Sequence, residues 1–316
     1  MNRPLRITAA VAVGLAATLA GTIAAGTLLW NRATAREVAR LGSSQPHATV
    51  YSPEQLEGLP APVARYFRTA LRPGQPLIRT ARFRQEGHFW LGARDGRWSP
   101  FTAEETFSTS PPAFVWDASI RMAPLLSARV RDSYAGGTGS MRARLASVIP
   151  LVDQSGGPEL AAGALLRYLG EAVWLPTALL PASGVAWTPI DDRTSRATIT
   201  DRGVTVSLDF TFGENGEIRS TYTPTRSREV EGRWVPTPWN GSYRRYERVA
   251  GMLVPMEGEV AWVLPDGPLP YWRGRITGAE YDLGEQPGRP SERMERTSRL
   301  GLASVETTAR RRGSSP

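Results

Sequence analysis

The chain has 316 residues, with 38 Arg and no Lys, no Cys, two His and a formal net charge of +8. These counts exclude lysine Schiff bases, the phosphate-loop Lys, thiol nucleophiles, disulfides and thiolate metal sites. The positive excess sits at the ends, +4 in residues 1–40 and +3 in 284–316, whereas 41–283 carry only +1, so the body of the chain has no electrostatic footprint for nucleic acid.

Residues 1–6 form a short basic tail with Arg3 and Arg6. An uncharged run of 24 residues, Ile7–Trp30, follows. At about 1.5 Å per helical residue it spans roughly 36 Å, enough to cross a hydrocarbon core of about 30 Å. A cleavable export signal is the competing reading, with Ala20-Gly21-Thr22 and Ala24-Ala25-Gly26 as small-x-small sites. Such a signal has an apolar region of only about 7–15 residues, so length favours a retained transmembrane anchor. Trp30, at the polar edge, suits the membrane interface. Basic groups tie across the segment, with Arg32, Arg36 and Arg40 matching Arg3, Arg6 and the amino terminus. A short basic tail before an apolar run also starts export signals, which places the N-terminus inside and the domain outside the cell membrane, as a single-pass protein. Ala17, Gly21 and Ala25 repeat at the spacing of small-residue helix pairing.

Residues 31–52 read as a spacer. Ser52 and Gln55 have the spacing of a capping box, opening a short helix toward Leu71 that Pro60 and Pro62 interrupt. Beyond it the period becomes two. Phe83, Gln85, Gly87, Phe89 and Leu91 alternate with Arg82, Arg84, Glu86 and His88. Phe114, Trp116, Ala118, Ile120 and Met122 alternate with Val115, Asp117, Ser119 and Arg121. Ala128, Val130, Asp132 and Tyr134 oppose Arg129 and Arg131. Val204, Val206, Leu208, Phe210 and Phe212 give the cleanest case. Each is a strand with one apolar and one wet face, the habit of antiparallel sheets. Glu214-Asn215-Gly216-Glu217 is a primed-turn hairpin joining Val204–Phe212 to Ile218–Thr223, and Asp201-Arg202-Gly203 closes the hairpin before it. Further strands fit Trp239–Val249, Glu257–Leu264 and Tyr271–Leu283, for roughly ten in all.

One segment breaks this rule. Between Glu159 and Trp174, Leu160, Ala164, Tyr168 and Ala172 lie beside Ala161, Leu165, Leu169 and Val173 at a spacing of four. Pro158 suits the first turn and Pro176 stops the helix. So apolar a face must lie on the concave or open side of the sheet. The expected fold is mainly β (α+β): a large curved antiparallel sheet or unclosed barrel with a covering helix, after an N-terminal transmembrane helix. Residues 53–283 form its single β-rich domain, and 284–316, with Arg310, Arg311 and Arg312, read as a disordered Arg-rich tail.

The segments Leu59-Pro60-Ala61-Pro62-Val63-Ala64-Arg65-Tyr66-Phe67, Trp98-Ser99-Pro100-Phe101-Thr102-Ala103, Phe114-Val115-Trp116, Arg167-Tyr168-Leu169-Gly170-Glu171-Ala172-Val173-Trp174-Leu175-Pro176 and Trp187 resemble an uncharacterised bacterial family. Its members carry an N-terminal hydrophobic segment and a β-rich domain. The likeness runs from about Pro60 to about Leu283, and the Arg-Tyr-Leu-x-Glu-x-x-Trp-x-Pro element is its most specific part. With no agreed activity, the family carries over no site residues. More coarsely, the plan is similar to the lipoprotein-carrier fold of the cell envelope, an unclosed barrel that shelters acyl chains. That likeness is one of topology, and fold does not fix function.

Catalytic chemistry has few carriers. His47 lies in the spacer, and His88 on a polar strand face. There is no Gly-x-Ser-x-Gly elbow and no His pair at zinc-binding spacing. Asp132-Ser133-Tyr134-Ala135-Gly136-Gly137-Thr138-Gly139 superficially suggests a phosphate cradle, but with no following Lys or helix start it reads as a hairpin turn. Carboxylates remain: Glu104-Glu105, Asp117, Asp132, Glu171 and Asp191-Asp192. Adjacent Glu104 and Glu105 face opposite sides of a strand. Asp132, on an apolar face, needs an Arg partner or hydrogen bonds, and Arg167 and Glu171 sit one turn apart. The abundance of Arg favours structural pairing over hydrolysis.

The preferred reading is a non-enzymatic, membrane-anchored envelope protein that binds a lipid-like or other apolar ligand, with Trp116, Tyr168 and Trp174 lining the groove. One alternative is a carboxylate-dependent hydrolase using Asp132, Glu171 and Glu104. The other is a structural or partner-binding module with a filled core. No reading calls for a cofactor, a metal or a nucleic-acid partner.

Overall fold

The structure, a computed structural model, describes residues 3–41, 50–92 and 95–283, with side chains from Val11 onward within the first helix. His47 and the Arg-rich tail lie outside the described residues. Three helices are present: α1 (Arg3–Ala39), α2 (Ala61–Ala70) and α3 (Pro158–Glu171). The strands are β1 (Thr80–Leu91), β2 (Arg97–Thr109), β3 (Pro112–Ala123), β4 (Leu126–Ala135), β5 (Thr138–Leu145), β6 (Ile149–Ser155), β7 (Val185–Pro189), β8 (Thr194–Asp201), β9 (Val204–Phe212), β10 (Ile218–Val230), β11 (Arg233–Val249), β12 (Met252–Leu264) and β13 (Gly267–Asp282).

All thirteen form one antiparallel sheet in the order β6-β5-β4-β3-β2-β1-β13-β12-β11-β10-β9-β8-β7. Apart from the β1–β13 closure and the break between β6 and β7, each strand pairs with its neighbour in sequence. This is the outcome expected when short turns join strands of period two. The expected hairpin at Glu214–Glu217 is present, with Gly216 at φ +86°. The glycine stretch after Tyr134 is the tight turn between β4 and β5, not a phosphate cradle.

The sheet is open but strongly coiled. β4 and β8 lie nine places apart in its order, roughly 43 Å if flat at about 4.8 Å per strand. Yet Tyr134 Oη of β4 donates to Asp201 Oδ2 of β8 at 2.8 Å. The concave wall carries the apolar half of each alternation, including Phe83, Phe107, Phe114, Leu208, Phe210 and Phe212, all buried. α3 lies against this wall as its sequence requires, burying Leu165, Tyr168 and Leu169, and continues as a 3-10 turn through Trp174. α2 closes one end with Val63, Tyr66 and Phe67, and Pro60 separates it from the 3-10 turn at Pro53–Leu56.

Two expectations are corrected along the first helix. Residues 31–39 are not a spacer, because α1 continues without a break through Ala39. Trp30 is not at a lipid interface but only 5% exposed, docked on the convex face of the sheet. Its indole donates to Asp117 Oδ1 at 2.9 Å and lies under the guanidinium of Arg131 at 4.7 Å. Glu37 then pairs with Arg131 at 3.1 Å and Arg142 at 3.0 Å, and Leu41 packs on Ala113 and Val115. The alternation that puts Trp116 and Asp132 inward turns Val115, Asp117 and Arg131 outward, so the convex face is already built to receive a helix.

Candidate functional site

The Arg-Tyr-Leu-x-Glu-x-x-Trp-x-Pro element supplies the centre of the concave side. Arg167 projects from α3 into three carboxylates. Its Nη2 meets Glu105 Oε1 at 2.9 Å, its Nη1 meets Asp132 Oδ2 at 2.7 Å, and its Nε meets Glu171 Oε1 one turn along at 2.9 Å. The guanidinium also lies over the rings of Phe114 and Trp116, at 4.9 Å and 5.0 Å. A planar fork with five donors suits such a site, whereas an ammonium has no equivalent geometry. A second chain of bonds braces the acid from behind. Trp116 Nε1 donates to Gln85 Oε1 at 2.9 Å, and Gln85 Nε2 donates to Glu105 Oε2 at 2.7 Å.

Three carboxylates against one guanidinium leave an uncompensated negative charge in a buried place. Burial pushes the Glu105 carboxyl well above the usual carboxylate range, and repulsion from Glu171 adds to this, against the pull of Arg167. Burial also raises Glu171, while Arg167 and the Glu105 carboxyl oppose the shift. Glu171 Oε2 is buried without a full hydrogen bond of its own. Burial thus holds both glutamates above the usual carboxylate range, Glu105 the more strongly. Arg167 stays charged, because Glu171, Glu105 and Asp132 outweigh the effect of its burial.

Beside this cluster lies a cavity of about 270 Å³. Trp116, Trp174, Trp239, Trp262, Tyr271 and Trp272 wall it, and Asp132, Arg167 and Glu171 form its polar border. Indole N–H groups of the wall are engaged by the protein itself: Trp174 Nε1 donates to the Pro255 carbonyl at 3.0 Å, and Trp239 Nε1 to Tyr271 Oη at 2.9 Å. Gly274 of β13 lets the Trp272 ring lie across its own strand, since a Cβ there would clash with that ring. Arg226 also borders the space, stacked over Trp239 at 4.8 Å and Trp262 at 5.6 Å.

Trp116 and Trp174 thus line the cavity, and Asp132 and Glu171 meet through Arg167. Tyr168 does not line it; its ring is buried on the other side of α3, 6.1 Å from Phe107. Glu104 is outside the cluster as well. It faces the convex side, half-exposed and paired with Arg82 at 2.5 Å, beside an open polar cleft between α1 and β1–β2. Its neighbour Glu105 is the inward acid. The signal was present as Phe101-x-Ala103-x-Glu105-x-Phe107, a period-two row with one charged member. His88 is exposed on the convex side. Among the described residues no group of three or more His, Asp or Glu is placed to hold a metal ion.

Among solved structures, the chain is similar to a LolA superfamily protein from Nitrosomonas europaea, at 13% identity and a TM-score of 0.32, covering 72% of this chain and 94% of that one. A likeness at that level speaks to neither ligand nor mechanism. No curated protein matches the sequence. A family model does match over residues 57–281, nearly the whole sheet with α2 and α3, and the chain belongs to that family, DUF6920, a family of unknown function.

Proposed function

We propose that the protein is a membrane-anchored binding protein for a small apolar, lipid-like molecule held between α3 and the concave wall. The aromatic cavity carries this reading. A core filled for stability alone packs to crystal-like density with few voids larger than a water molecule, whereas this one leaves about 270 Å³ against eight aromatic side chains. That volume is close to the lower end, roughly 300 Å³, of small-molecule sites. It suits a single chain or a fused-ring body rather than a diacyl lipid. Anchoring is supported by the helix itself. Among the described residues, Val11–Ala39 is the one helix long and apolar enough to cross a membrane, and Val13, Leu15, Leu19 and Leu29 point away from the protein.

Titration of the full chain in detergent micelles with a nitroxide-labelled single-chain fatty alcohol tests this, because the wall tryptophans report contact by quenching. Saturable quenching is expected in the wild type, with Val260→Trp, which fills the cavity, binding at least about tenfold more weakly, as expected when an apolar pocket is blocked. Equal, non-saturating quenching of both would count against a binding site.

The hydrolase reading has one supporting observation: Asp132 and Glu171 border the cavity. Against it, both acids are pinned to Arg167. Turnover of a p-nitrophenyl acyl ester that disappears in Glu171→Gln would favour catalysis, whereas no turnover by the wild type leaves the structural role.

A further inference from the structure

Three hairpin turns, β1–β2, β3–β4 and β5–β6, join adjoining strands and lie at one end of the β1–β6 half of the coiled sheet. α1 leaves the protein at that end. Gly26 is seated against Ser147 and Val148 of the β5–β6 turn, and Thr27 Oγ1 donates to Ser147 Oγ at 3.1 Å. From there α1 descends over the convex face through Trp30 to Leu41, near the β2–β3 turn. Residues 3–25 of α1 therefore project about 35 Å beyond the β5–β6 turn, at about 1.5 Å per residue, enough to cross a hydrocarbon core of about 30 Å.

The same end carries exposed large apolar side chains: Leu125 at the β3–β4 tip, and Ile149 and Leu151 where β6 begins. Leu125 is fully exposed at the β3–β4 tip and adopts φ +61°, a conformation for which Gly or Asn is the ordinary choice. Arg121 and Arg144, both exposed, flank the tips; their long side chains suit phosphate groups at a membrane surface. Trp90 and Trp98, with ring centroids 5.3 Å apart, stand at the β1–β2 turn, as interfacial aromatics do.

We infer that this rim of hairpin tips rests in the bilayer interface. The docked α1 fixes its height, and Leu125 and Ile149 enter the headgroup region. The cavity reaches toward this end: Phe89 lies two residues from the end of β1 and Trp262 two from the end of β12. An apolar ligand then passes between bilayer and cavity with little exposure to water. The inference rests on α1 being a retained span and not on the identity of the ligand.

A chain without Cys allows single-site labelling of the full protein in phosphatidylcholine–phosphatidylglycerol vesicles. An environment-sensitive fluorophore is attached to Leu125→Cys, Ile149→Cys, Ile190→Cys or Leu19→Cys, and quenched by nitroxide lipid or by aqueous iodide. Labels at 125 and 149 are expected to be quenched by nitroxide lipid and shielded from iodide, as at 19, with 190 showing the reverse. Labels at 125 and 149 as open to iodide as 190, with 19 in lipid, would overturn the rim while leaving the anchor intact. A label at 19 open to iodide would overturn both.

Discussion

Arg167 is the residue on which the concave side turns. Removing one partner of a buried ionic cluster strands the others without compensation, typically at about 3–5 kcal/mol. Arg167→Met keeps much of the volume and should lower the unfolding free energy by an amount of that order, seen as a lower unfolding midpoint. The defect should shrink at pH 5 relative to pH 8, because stranded carboxylates are less costly once protonated; scans at the two pH values, followed by tryptophan fluorescence, check this. Glu105 makes a second prediction. In the unfolded chain it titrates near the ordinary 4.5, whereas in the folded protein it keeps its proton above that. Below about 4.5 both states are protonated and there is no penalty. As pH rises, the unfolded state releases a proton that the folded state retains, so stability falls until the folded group itself ionises. Glu105→Gln has no proton to lose. The stability of wild type relative to Glu105→Gln should therefore decline from pH 5 to pH 8, and a flat difference would show that Glu105 is ionised when folded.

At the scale of elements, α1 joins a segment long and apolar enough to cross a membrane to the β-domain without a flexible joint. Trp30 carries much of that docking through its hydrogen bond to Asp117 and its stacking under Arg131. Trp30→Ala should release residues 31–41 while leaving the core intact. Amide exchange should show this as faster exchange in that segment alone, whereas a global increase would place Trp30 in the folding core. The sequence marked α1 by its lack of charge but not its end, because the docked turns carry Arg32, Arg36, Glu37 and Arg40 and look solvated. Only tertiary partners on β3–β5 explain why Glu37 is half-buried. β2 was harder to see for a related reason: Glu105 interrupts an apolar row, and its partner Arg167 lies 62 residues away. By contrast, β9 and its hairpin were legible, since every alternate residue from Val204 to Phe212 faces the core and Gly216 supplies the turn. α3 was legible because its apolar face is unbroken and prolines bound it.

For the whole molecule, the strand pattern conveyed an open antiparallel sheet with a covering helix. The coil that brings β4 to β8 is a cumulative property of strand twist that no single segment displays. The same coil turns five tryptophans, Trp116, Trp174, Trp239, Trp262 and Trp272, from distant segments toward one space, a convergence that the spacing of the tryptophans along the chain does not reveal. The account as a whole depends on that space being occupied by a ligand. The most direct measurement is native mass spectrometry of the full chain, extracted from its own membranes in mild detergent, with Val260→Trp prepared in parallel. A small apolar molecule bound one-to-one to the wild type and missing from Val260→Trp is the predicted result. Wild-type protein that is uniformly free of any bound molecule, and indistinguishable from the filled variant, would contradict it.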